Sequence, residues 1–250
     1  MLEAAVVLPH PPILVPELAV GAAPELHELR AASADALKTV LHAWEDGCDV
    51  VLVGAGAERA TFQPGAVGTF AGFGLPVTTA LPGPGGDAAA SDSARLPLSL
   101  TVGAWLMNQV APWDDAGGTV RAESVPVDIA PGDAVEVGQE IAASAQRVAL
   151  LVMGDGSSAL SLKAPGYLVP GAPEWQDDVT AALAAADVDR LAAISPEDAA
   201  RMGAMGRAAW QVLAGAAGTG DGWHAELLAQ DDRYGVAYLV ARWTRQGRDA

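Results

Sequence analysis

The chain has 250 residues, of which 51% are hydrophobic and only 18% charged, enough to bury a substantial core in one large α/β domain or two small ones. Its net charge of −17, with only 14 basic residues, argues against nucleic acid or an anionic membrane surface as a partner, since both draw on clustered Lys and Arg. One cysteine, Cys48, excludes an internal disulfide and a multi-cysteine zinc site.

The first element is an apolar run over residues 4–8, the pattern of a buried strand. It breaks at Pro9 and no basic region precedes it, so it does not read as a signal peptide. No uninterrupted apolar stretch approaches a membrane-spanning length, and a cytoplasmic protein is expected. Residues 24–46 read as a helix: Leu26, Leu29, Leu37, Val40, Leu41 and Trp44 recur at helical spacing and Gly47 ends it. Cys48, just before an apolar strand at 49–53, is expected to be a buried structural thiol. A third strand is expected at 77–81, and residues 82–96, rich in Gly, Pro, Ala, Asp and Ser, read as a loop. A helix at 97–110, a strand at 119–125, a helix at 133–145 and a strand at 148–153 follow. Helices then dominate at 174–185, 187–193 and 196–216, the last with Ser195 as N-cap and Pro196 at its first position. A strand rich in β-branched and aromatic residues at 234–243 closes the chain. Alternation of this kind predicts a single α/β domain over 1–250, a sandwich whose mostly parallel or mixed central sheet is covered by helices on both faces.

Several groups can carry chemistry. His10 stands between Pro9 and the pair Pro11, Pro12, which hold it on a stiff, non-helical turn at a strand's carboxyl end. Ligands bind along that edge of open α/β sheets, and a neutral imidazole there suits metal ligation or proton transfer. A second buried strand ends in Met153-Gly-Asp-Gly-Ser-Ser158, where Asp155 is placed either to bind a metal or orient a base, or to close an Asx turn on local amides. Val53-Gly-Ala-Gly-Ala-Glu-Arg59 partly matches a dinucleotide fingerprint, but Arg59 occupies the third glycine position. Lys163 and Tyr167, shortly after the Asp155 loop, are placed either to attract and stack on an anionic substrate or to sit on the surface. His27 and His42 share the first long helix, and His224 and Glu226 are expected in a loop and helix before the last strand. Gly154-Asp-Gly-Ser157 is not the Gly-x-Ser-x-Gly turn of a serine hydrolase.

The strand leading into His10-Pro-Pro, followed by a helix punctuated with Gly and Pro, resembles the start of the class III extradiol ring-cleavage dioxygenases. The likeness is greatest to the small, single-domain actinobacterial members of that dioxygenase family. It continues through residues 148–158, Lys163-Ala-Pro-Gly-Tyr167 and the segment 206–215. The resemblance implies a single α/β sandwich, a small aromatic ligand and, if the protein is active, non-haem Fe(II) that inserts oxygen into a catechol-like ring. It implies His10 as a metal ligand. Where a second His ligand is expected, the chain has small residues with Glu58 nearest, and where a catalytic His is expected it has Ser157 or Ser158, leaving Asp155 as substitute ligand or base. Where the family's third ligand, a Glu, is expected, the segment 206–213 offers Arg207 and Gln211. The resemblance gives Lys163 and Tyr167 a substrate-binding role. The alternative is a non-catalytic protein that binds a small molecule or a partner, homo-oligomeric or not, after loss of the metal site.

Overall fold

A computed structural model describes residues 1–83, 95–110, 113, 117–219 and 222–245. Its frame is a seven-stranded sheet. In chain order the strands are β1 (Leu2–Leu8), β2 (Asp49–Gly56), β3 (Ala60–Phe62), β6 (Val120–Pro126), β7 (Val148–Met153), β8 (Trp223–Asp231) and β9 (Tyr238–Arg245), while β4 (Val67–Thr69) and β5 (Thr78–Ala80) form a separate ribbon. Across the sheet the order is β3-β6-β2-β7-β1-β9-β8. The four strands β6, β2, β7 and β1 run parallel, while β3 pairs antiparallel with β6 at one edge and, at the other, β9 pairs antiparallel with β1 and β8 with β9. The sheet is therefore mixed, with an all-apolar strand, β7, at its centre, as expected for a strand covered on both faces.

Two cores lie on opposite faces. Helices α2 (His27–Glu45) and α3 (Leu98–Val110) pack Leu37, Trp44, Leu100 and Met107 against Val6, Leu8, Leu52 and Leu151. Helices α4 (Pro131–Ala143), α5 (Ala172–Ala185) and α8 (Arg207–Ala217) pack Val137, Val179, Trp210 and Leu213 against Val7, Val53, Leu150 and Val152. The short helices α1 (Pro16–Ala19), α6 (Val188–Ala192) and α7 (Pro196–Arg201) complete the chain. Cys48 is buried.

Three expectations are corrected. The helix expected over 196–216 is two helices, broken at 202–206. Ser195 does cap the first, its hydroxyl accepting the Asp198 N–H at 3.1 Å. The carbonyl of Met202, however, accepts the Ser157 hydroxyl at 2.8 Å and the Ser158 N–H at 3.1 Å, and Gly203 turns the chain at φ +64°. The last strand starts at Tyr238 rather than 234, because Gly235 turns at φ +71°, and residues 223–231 form its hairpin partner, which puts His224 and Glu226 on an edge strand. The strand expected at 77–81 belongs to the small ribbon beside α3, outside the main sheet. Of the loop expected at 82–96, residues 84–94 lie outside the described residues. Among the described residues no helix is long and apolar enough to cross a membrane.

Candidate functional site

β1 and β7 are neighbours in parallel register, Leu8 opposite Met153, and both end at the same sheet edge. The Gly154 N–H donates to Leu8 O at 2.9 Å, which carries the pairing one step past the strand ends. There the prolines turn His10 inward, leaving it 6% exposed. Asp155, 145 positions later, meets it: the His10 backbone N–H donates to Asp155 Oδ1 at 2.8 Å. That long-range bond replaces the local Asx turn that the sequence left open. The imidazole Nδ1 lies 3.7 Å from the same oxygen, beyond a hydrogen bond, and is buried with no hydrogen-bond partner. Burial raises the Asp155 pKa, while the His10 charge and the His10 N–H pull it back down. The result is a carboxyl disposed to keep a proton beside an imidazole nitrogen that lacks a partner.

Tyr238 is a third member that sequence reasoning missed. Gly156 N–H donates to Ala237 O and Ala237 N–H to Ser157 O, both at 2.8 Å, so the start of β9 is stitched to the Asp155 loop. The buried Tyr238 phenol is pushed upward by burial first and then by the charges of Asp155 and Asp231. On the other side α8 closes in. A Cβ on Gly154 would lie 2.7 Å from Gly206 Cα and 2.7 Å from Trp210 Nε1, so only glycine admits the first turn of α8. The Gly206 N–H donates to Asp155 O at 2.8 Å, and Trp210 Nε1 is buried without a partner.

The other candidates stand elsewhere. Ser157 is fully buried, its hydroxyl donating to Met202 O and accepting the Ala159 N–H at 3.1 Å, while its N–H donates to Gln176 Oε1 at 2.7 Å. Those bonds fix the loop and leave the hydroxyl turned away from any ligand. Glu58 is exposed on the turn between β2 and β3, with β7 intervening between β2 and the strand that carries His10. Lys163 and Tyr167 are exposed on the segment 158–169, Tyr167 being 72% accessible with φ +56°. Gly54 lies within β2, where a Cβ would stand 2.5 Å from Ser99 Oγ, and Ser99 Oγ donates to Ala55 O at 2.6 Å. Gly54 therefore admits the start of α3, and Gly56 admits the Ser124 side chain of β6, 2.7 Å from where its Cβ would stand.

Arg207 and Gln211, which the segment 206–213 offers where the extradiol resemblance expects a Glu, are both committed elsewhere. Arg207 is 2% exposed and donates to Ile129 O at 2.7 Å, to Val127 O and to Gln211 Oε1 at 2.7 Å. Gln211 Nε2 in turn donates to Ala192 O and Ile194 O, each at 2.9 Å. The two side chains tie α8 to the turns before α4 and after α6, and burial lowers the Arg207 pKa. Among the described residues no group of three or more His, Cys, Asp or Glu is gathered to hold a metal. The donors that do converge are His10 and Asp155, and no third His, Cys, Asp or Glu among the described residues gathers with them, so these residues do not fit a two-His-one-carboxylate iron site.

No family model matches the chain, and no curated protein matches it. A crystal structure of the uncharacterized protein JW3007 from Escherichia coli K12 is similar to it, with a TM-score of 0.54 over 97% of this chain and 99% of that one, at 14% sequence identity. At that identity the likeness is one of fold.

Proposed function

We propose that the chain is a small-molecule-binding member of the class III extradiol dioxygenase superfamily, taking a hydroxylated aromatic ligand at the edge of β1 and β7 without a three-ligand iron centre. The observation that supports this is the buried pair of His10, whose Nδ1 lacks a hydrogen-bond partner, and Asp155, whose Oδ1 accepts the His10 N–H. A buried polar atom without a partner is costly, and a phenolic hydroxyl can both accept from and donate to an imidazole nitrogen. The proposal includes a cytoplasmic location and no nucleic-acid or membrane partner.

The competing reading is an Fe(II)-dependent ring-cleaving dioxygenase. Fe(II), when bound, would supply Lewis acidity to a catechol and a site for O₂. His10 and Asp155 would be its donors, but Glu58 is remote from them and no third His, Cys, Asp or Glu among the described residues gathers with them, so no ring-cleavage step follows from these residues.

The test is an anaerobic titration of the chelator-treated protein with catechol, read at the His10 ring nitrogens by long-range ¹H–¹⁵N NMR. Saturable movement of the His10 resonances, weakened by about tenfold in Asp155→Ala, is the expected result. No response at His10 at millimolar catechol overturns the proposal.

A further inference from the structure

A cavity, lined by neither His10 nor Asp155, lies between α1, α2 and α3. Its volume is about 400 Å³, within the range of small-molecule sites. One wall is a single face of α2, formed by His27, Arg30, Ala31 and Ala34 at i, i+3, i+4 and i+7. The facing wall is Trp105, Leu106 and Gln109 on α3, and Glu17 of α1 stands at the rim. The wall is thus largely apolar and aromatic, with one guanidinium set into it.

That guanidinium is incompletely satisfied. Arg30 Nη2 donates to Ala23 O, but Nη1 is buried with no hydrogen-bond partner, and no described carboxylate pairs with it. A planar fork with one unpaired arm, on a half-buried side chain that lines the same cavity as an indole, matches a carboxylate better than any neutral group, because charge-assisted and bidentate bonds are the strong ones. An unpaired guanidinium inside an apolar groove selects an anion of limited polarity, against the net charge of −17 carried by the chain as a whole.

We propose that this groove binds a small aromatic carboxylate, its carboxylate on Arg30 and its ring against Trp105. Binding requires the guanidinium to pivot about its Ala23 bond so that Nη1 faces the cavity. The exposed Glu17 opposes the ligand's charge from the rim. The site is independent of the one at His10.

The experiment uses the intact chain and two probes, benzoate and benzyl alcohol, followed by NMR at the Trp105 indole N–H and the Arg30 Nε–H. Benzoate is expected to move both signals saturably, and benzyl alcohol to bind about tenfold more weakly. Arg30→Gln should erase that preference, and Glu17→Gln should strengthen benzoate binding several-fold by removing the repulsion. Equal binding of the two probes, a preference retained in Arg30→Gln, or no response at either reporter overturns the proposal. Arg30 also holds the turn at Ala23, so if its variant fails to fold, Glu17→Gln decides: tighter benzoate binding supports the site, and unchanged or weaker binding overturns it. Benzoate movement at His10 without movement at Trp105 overturns this proposal and leaves the reading of the His10 site standing.

Discussion

Arg207→Met separates an α8 that serves as a buried tie from one that carries a disguised ligand position. Methionine keeps the length and much of the apolar stem but removes three hydrogen bonds, to Ile129 O, Val127 O and Gln211 Oε1. Leaving a buried acceptor unpaired costs about 1–3 kcal/mol. Three such losses would reach roughly 3–9 kcal/mol. Two corrections reduce that figure. The turn at 127–129 is partly exposed, so water reaches its carbonyls, and removing the guanidinium also removes its own desolvation penalty, which the charges of Asp128 and Glu197 offset only in part. A net loss of about 2–4 kcal/mol results, a large part of a typical domain's stability. Urea unfolding followed by circular dichroism should show a lowered midpoint with an unchanged slope. Arg207→Glu points a negative charge at two carbonyls and should be less stable still. A loss below about 1 kcal/mol for Arg207→Met, or an Arg207→Glu protein that folds and gains Fe(II), would refute the reasoning.

The Asp155 carboxyl makes a signed pH prediction. Its folded pKa is raised, so the wild type loses stability as pH climbs from the unfolded carboxyl range through the folded pKa. Asp155→Asn keeps an acceptor for the His10 N–H without that loss, so it should be the more stable protein at pH 7, and the advantage should fade below about pH 4. Thermal melts across pH check it, and an Asn variant that is less stable at pH 7 counts against the assignment. In His10→Ala the charge that lowers the Asp155 pKa is gone, so ¹³C titration of the Asp155 carboxyl should shift to still higher pH; a shift to lower pH contradicts the pairing. Gly154→Ala places a methyl 2.7 Å from Gly206 Cα and Trp210 Nε1, which should cost about 1–3 kcal/mol in denaturant unfolding and disturb the Asp155 loop at the same time. A neutral outcome there means that α8 is free to move away from β7.

The parts of this fold that are legible in the sequence are those written in local pattern. β1 and β7 are short, wholly apolar over their final residues and bounded by Pro or Gly, which is why the two strand ends that carry His10 and Asp155 are recognisable. The helical period of 26–44 and the Ser195-Pro196 cap are equally local. What escapes is non-local. That His10 meets Asp155 depends on β1 and β7 being neighbours, and that Tyr238 joins them depends on β9 pairing with β1 on its other side. Strand order leaves no local mark on the sequence. The break at 202–206 is hidden for a related reason, because Met202 O is drawn off by Ser157 and Ser158, residues more than forty positions earlier. Residues 223–231 alternate only loosely because β8 is an edge strand with a register shift between Leu227 and Ala229, which blurs the period of two. Ser157 stands on a glycine-rich turn that suggests an available hydroxyl, and only its bonds to Met202, Ala159 and Gln176 show that hydroxyl to be committed.

Anaerobic titration of Fe(II) into the purified wild type and into His10→Ala, with bound iron measured after desalting, bears most directly on a His10 site without a three-ligand iron centre. The account predicts no stoichiometric iron in either protein, with the His10 resonances still responding to catechol in the wild type. One iron per wild-type chain, lost in His10→Ala, would contradict it.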